Sequence, residues 1–101
     1  MATLKILFTD RALREMREIL GFIAQDNPDA ASTLAGQILK SLEHKARFPK
    51  SGRRIPEAPD HAAREIVLPP CRIFYSTNDK ALHVLGLMRS EQQFRLTRLG
   101  N

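Results

Sequence analysis

Residues Cys71–Gln92 read CRIFYSTNDKALHVLGLMRSEQ: two apolar runs, "RIFYS" and "ALHVLGLM", flank the polar turn "TNDK", and an arginine stands at the outer end of each, Arg72 and Arg89. Short runs rich in aromatic and β-branched residues around such a turn predict an antiparallel hairpin. Its register decides what the arginines can do together. A hairpin folded about the 79/80 bond sets Arg72 opposite Leu87, with Arg89 two residues beyond on the same face; a register centred on Asp79 puts the two arginines on opposite faces. The residues alone leave both registers open.

Working outward, "REIVL" (64–68) is a further strand, and Pro69 and Pro70, which cannot both donate to a ladder, mark the turn that joins it to the hairpin. At the other end of the chain, "TLKILFT" alternates Leu4, Ile6 and Phe8 with Thr3, Lys5 and Leu7, which predicts a strand with one face better buried. From Asp10, the expected N-cap, Leu13, Met16, Leu20 and Ile23 recur at helical spacing. "DNPDAA" then restarts the chain: Asn27 can cap, Pro28 suits the first helical position and Asp29 complements the dipole. A second helix follows through Leu34, Ile38 and Leu42 to about Arg47, where Phe48-Pro49 stops it, so the pair should form an antiparallel helical hairpin.

Residues 49–61, with three prolines and no sustained period, read as loop. Ser90 and Gln93 stand at capping-box spacing for a short C-terminal helix, a strand being the alternative there. The expected architecture is α+β: one domain over residues 1–101, in β-α-α-β-β-β order, with the helical hairpin on one face of an antiparallel-rich sheet and the other face open.

The formal net charge is +5 and the pI about 10. It is uneven: residues 1–44 hold five Lys/Arg against six Asp/Glu, and residues 45–101 hold eleven against five. That asymmetry favours an acidic or polyanionic partner for the second half. One cysteine, Cys71, and three scattered histidines give neither an internal disulfide nor zinc spacing, so no metal is expected. The N-terminal "MATLKILFTDRALRE" turns charged before a secretory apolar region could form, and no run is long enough to span a bilayer; a cytoplasmic, membrane-free chain is expected.

The "DNPDAA" junction, the "FPxxGRxxPE" loop (Phe48, Pro49, Gly52, Arg53, Pro56, Glu57), Arg64 opening a strand, and "xRIxY" (Arg72, Ile73, Tyr75), in this order and length, resemble the RelE/ParE toxin superfamily of type II toxin–antitoxin systems. The resemblance covers nearly the whole chain. It implies a toxin without cofactor, held inactive by a small cognate antitoxin whose C-terminal segment folds on it and through which alone operator DNA is reached. It implies one of two targets: DNA gyrase for ParE-like members, or messenger RNA in the ribosome for RelE-like ones. A toxin surviving only as an antitoxin-binding module is a third expectation. Together with the charge, the resemblance makes Arg53, Arg54, Arg64, Arg72, Tyr75 and Arg89 the candidate partner-binding residues. For an endoribonuclease the candidate catalytic set is Arg64, Arg72 and Arg89.

The residues favour the ParE-like branch. Cleaving RNA needs a base for the 2′-hydroxyl, an acid for the leaving oxygen and cations for the phosphate, and guanidinium supplies only the last. The second strand reads Arg64-Glu65-Ile66 where RNA-cutting members place paired lysines, and no Tyr or His follows Arg89. Glu65 alternates with Arg64 and Ile66 and so faces away from both. His83, inside a predicted strand, is expected to be satisfied by a backbone carbonyl, a general base being the alternative, and His44 and His61 have no partner visible in the sequence. The expectation is a set of fixed positive groups with no proton-transferring side chain beside them.

Overall fold

The computed structural model describes residues 3–100. Helix α1 (Asp10–Asp26) begins where Thr9, in extended backbone, turns its hydroxyl to accept from the Ala12 N–H. The cap is therefore Thr9 rather than Asp10, which sits in the first turn, where a carboxylate complements the dipole. Asn27 serves two helices at once. Its backbone N–H donates to the Ile23 carbonyl, ending α1, and its Oδ1 accepts from Ala30 N–H at 3.1 Å, starting α2 (Pro28–Arg47). With one residue doing both, the helices fold back as the expected hairpin.

Five strands form one sheet: β1 (Lys5–Phe8), β2 (Arg53–Arg54), β3 (Arg64–Leu68), β4 (Cys71–Thr77) and β5 (Ala81–Arg89), in the order β1-β5-β4-β3-β2. β1 returns through the helical hairpin to pair parallel with β5, and the remaining pairs are antiparallel. Pro69-Pro70, a cis peptide, turns β3 into β4, with Leu68 opposite Cys71. The expected loop 49–61 contains the two-residue β2, too short to leave a period, which pairs Arg53 with Glu65 and Arg54 with Arg64.

The helices cover one face: Ile19, Leu34, Ile38 and Leu42 pack on Ile66, Ile73, Leu82 and Leu87. The opposite face is not open, as expected, but roofed. Ile55, Ala63, Phe74, Met88 and Leu99 form a second, smaller core beneath the 55–63 loop and the C-terminal segment. The cause lies in "CRIFY", whose residues are all buried, so both faces of β4 need cover. The C-terminal element is a 3₁₀ turn at Leu96–Leu99 without a side-chain cap, not a helix begun at Ser90. Gln92 Oε1 instead accepts from the Arg89 N–H, and Ser90 N–H donates to the Pro70 carbonyl, so residues 90–92 hold the end of β5.

Candidate partner-binding site

Near its turn the β4–β5 hairpin has the register of the 79/80 bond, with Thr77 opposite Leu82 and Tyr75 opposite Val84. Beyond it Phe74 lies opposite Gly86, Arg72 opposite Met88 and Cys71 opposite Arg89, so Leu85 is left without a partner. That bulge flips the face parity of everything after it. Neither simple register holds over the whole hairpin. Arg72 falls on the roofed face with Phe74 and Met88; Arg89 falls on the helix side, its guanidinium 4.9 Å from the centre of the Phe22 ring of α1.

Glu15 of α1 holds the bulge. Its Oε1 accepts from Leu87 N–H at 3.1 Å, and its Oε2 accepts at 2.8 Å from Arg98 Nη1, which also donates to the Leu87 carbonyl. A Cβ at position 86 would stand 2.8 Å from Glu15 Oε1, so glycine lets the carboxylate reach the backbone. Sequence reasoning passed over Glu15 and Arg98. The available signal was Gly86, since a glycine inside a strand often marks a bulge or a close approach.

On the roofed face, Arg72 is only 9% exposed and the Glu65 side chain is fully shielded. Arg72 Nε donates to Glu65 Oε1 at 2.8 Å, while Nη1 and Nη2 grip both oxygens of Glu57 at 2.8 and 2.7 Å. Arg53 Nε donates to the other oxygen of Glu65. The guanidinium of Arg72 also lies over the rings of Phe74 and Phe94, at 5.3 and 5.6 Å from their centres. Arg53, Glu65, Arg72 and Glu57 thus alternate in sign along one chain of charge-assisted hydrogen bonds that fastens the 53–57 segment to β3 and β4. The hydrogen bonds from Arg72 hold the Glu57 carboxyl below the usual carboxylate range, outweighing its burial.

This corrects two expectations. Arg72 is a buried tie rather than a surface cation for a partner. A carboxylate does stand beside the arginines, yet Glu65 is shut from solvent with each oxygen held by an arginine, so a substrate has no path to it.

Tyr75 and Arg64 are also built in. Tyr75, buried on the helix side, donates from its hydroxyl to the Pro49 carbonyl at 2.8 Å and accepts from Gly52 N–H at 3.0 Å. Burial raises the phenol above its ordinary value, opposed by the Gly52 N–H and by Arg64. Arg64 Nη1 donates to the Gly52 carbonyl at 2.9 Å. A Cβ on residue 52 would lie 2.2 Å from Tyr75 Oη, the physical reason the loop has glycine there. Arg54 donates to the His61 carbonyl, and His61 Nδ1 accepts from Ala63 N–H, partners the sequence did not reveal. His83, opposite Ser76 and Leu7, lies six residues before Arg89 on β5, about 20 Å along the strand. Cys71 is buried and its thiol is pushed up to about 11, which keeps it a packing residue.

Of the predicted residues only Arg89 offers its head beside a cleft. A recess of about 230 Å³ is lined by Glu18, Ile19, Phe22, Arg89 and Gln92. At the same end of the fold, a more apolar recess of about 370 Å³ lies between the helical hairpin and the Pro69-Pro70 turn, lined by Ile23, Ala30, Leu34 and both prolines among others. Phe22 is 56% exposed beside them. Among the described residues no group of His, Cys, Asp and Glu gathers as metal ligands do, and no helix is long and apolar enough to cross a membrane.

Residues 6–94 match the family described as "ParE toxin of type II toxin-antitoxin system, parDE". A curated protein of Sinorhizobium fredii, named "Putative toxin Y4kP", is 35% identical over 98 residues, spanning 93% of this chain and 96% of its own. The solved structure titled "Chromosomal ParDE TA system from P. aeruginosa" superposes with a TM-score of 0.72 at 16% identity, over 88% of this chain and 98% of that one; the likeness speaks to the fold. The interlocked "FPxxGRxxPE", "REI" and "CRIFY" segments are the parts that carried the resemblance in the sequence. With a family match over most of its length, the chain belongs to the ParE toxin family of type II toxin–antitoxin systems.

Proposed function

We propose that the chain inhibits DNA gyrase by a protein–protein contact and is neutralised by a small acidic antitoxin. The observation that carries this reading is the dispersal of the three candidate catalytic arginines. Arg72 is sealed on one face, Arg89 lies over Phe22 on the other, and Arg64, on the same face as Arg89, is tied to Gly52 four residues along β4 from the Cys71–Arg89 pair. A scissile phosphate needs cations and a proton shuttle converging on one point. Nothing in this arrangement supplies that point, so contact rather than cleavage is the supported mode.

The antitoxin segment fits the helical-hairpin end of the fold. There the two recesses put Ile23, Leu34, Pro69 and Phe22 next to Arg89, so an extended peptide with apolar side chains and a carboxylate finds both kinds of partner. Glu91, itself 67% exposed, stands 3.0 Å from Arg89 Nε without a hydrogen bond to that shielded atom, and an incoming carboxylate would compete with it for the guanidinium's charge.

Induction of the chain in a bacterial host, with plasmid supercoiling and messenger RNA integrity read together, tests the target. Relaxed plasmid with intact transcripts is expected. Ribosome-dependent cleavage would move the chain to the RelE-like reading, and harmless expression with retained antitoxin binding would leave it a binding module.

A further inference from the structure

Among the described residues, seven of the eleven lysines and arginines without an ion pair gather at one end of the fold, away from the recesses; Arg14, Arg17, Lys40 and Arg95 are the other four. Leu4 N–H donates to the Ala46 carbonyl and Lys5 N–H to the Lys80 carbonyl, which brings the start of β1, the end of α2 and the β4–β5 turn together. Tyr75 joins this end to Pro49 and Gly52, and Arg54 pairs with Arg64. Lys45, Arg47, Lys50, Arg54 and Arg64 therefore share one pole, with Lys5 and Lys80 at its margin. Among the described residues none of the seven has a carboxylate within ion-pair distance, whereas Arg11, Arg53, Arg72, Arg89 and Arg98 all do. Arg47, Lys50, Arg54, Lys5 and Lys80 are exposed; of the acidic residues nearest the seven in sequence, Glu57 and Glu65 are engaged by Arg53 and Arg72, while Asp10, Glu43, Asp60 and Asp79 form no ion pair with them.

Complementing the α2 dipole accounts for Lys45 and Arg47 but not for Lys50, Arg54, Lys5 or Lys80, which lie outside that helix. The chemistry of the pole narrows what it can hold. None of the recesses described at the helical-hairpin end reaches it, and among the described residues the large exposed apolar side chains near it are Phe48, with the His44 ring 5.1 Å away, and Leu7, two residues from Lys5. A peptide needs apolar pockets as well as charge, whereas a phosphodiester backbone needs a spread of cations with little apolar burial.

We propose that this basic pole is a sequence-independent binding site for a nucleic-acid backbone, made by the toxin chain itself without its antitoxin. The proposal stands apart from the gyrase reading, because it concerns the purified chain alone.

The test is fluorescence anisotropy of a short labelled DNA duplex with the purified chain over a salt series. With about four phosphate contacts, affinity falls about 100-fold between roughly 50 and 200 mM salt. The triple variant Arg47→Gln, Lys50→Gln, Arg54→Gln lowers the salt slope by about three. The control triple Arg14→Gln, Arg17→Gln, Lys40→Gln removes the same charge from exposed sites on the helices, and leaves the slope within about one of the parent. Circular dichroism melting confirms that both triples fold. Three results would overturn the proposal: no binding by the parent at low salt, equal loss in the two triples, or displacement of the duplex by polyglutamate at equal charge.

Discussion

Arg72 and Glu65, on adjacent strands, meet at 2.8 Å with the carboxylate wholly shielded from solvent, and Glu57 closes on the far side of the same guanidinium. Truncating one member of a buried pair strands the other charge, typically at a cost of about 3–5 kcal/mol, whereas replacing the pair by apolar residues of similar size is often neutral. Arg72→Ala should therefore lower stability by about 3–5 kcal/mol in urea melts, and Arg72→Met with Glu65→Leu should recover most of it. A double variant as unstable as the single would show that the network matters for more than charge compensation. A loss of toxicity in Arg72→Ala alone reports folding, not chemistry.

Gly52→Ala places a methyl group 2.2 Å from Tyr75 Oη and 2.7 Å from Cε1 of the same ring. Overpacking of this kind costs about 1–3 kcal/mol. Adding Tyr75→Phe should not relieve it, because the ring carbons remain in place and the Gly52 N–H and Pro49 carbonyl lose their partner. Equilibrium unfolding of the two variants checks this; full rescue by phenylalanine would mean that the hydroxyl alone made the clash.

Acid sensitivity follows from Glu57. Its folded carboxyl lies below the unfolded value of about 4.3, so the stabilisation is fully present above that pH and is lost as pH falls through the lower folded value. The Tm should drop below about pH 4.3, and Glu57→Gln should flatten part of that slope while lowering Tm at neutral pH. Because Glu57 is 43% exposed, the change is small. An unchanged acid slope in the variant would remove Glu57 from the cause.

Glu15→Ala leaves Leu87 N–H without its acceptor and Arg98 without its carboxylate. Faster hydrogen exchange at Leu87 and through Leu96–Leu99 is expected, with stability lowered by about 1–3 kcal/mol. Exchange unaltered at Leu87 would mean the bulge holds itself.

The two long helices and the chain order of the four longer strands were legible because each rests on local periodicity: Leu34, Ile38 and Leu42 at helical spacing, Pro28 at a helix start, two prolines at a turn; the parallel pairing of β1 with β5 was not. Face parity was not. Leu85 is apolar like its neighbours and fits either register, and the bulge is decided by Glu15, seventy-two residues distant from Leu87. For Arg72 the residues left open a solvated strand end, a partner's charge, a helix C-terminus or a pairing with Glu65; the last is what forms, while Glu57, fifteen residues away, was not signalled. The motif that betrayed the family was visible, whereas its physical work, tying a loop onto a sheet through Gly52, Arg53 and Glu57, needed the tertiary structure. The two-residue β2 lies below the length at which any period can be read.

Supercoiling of relaxed plasmid by purified gyrase, with increasing amounts of the purified chain, bears most directly on contact without cleavage. Inhibition that rises with the chain and is abolished by an excess of its antitoxin is the expected result. Undiminished supercoiling at saturating chain, alongside transcript cleavage when the same preparation meets translating ribosomes, would contradict it.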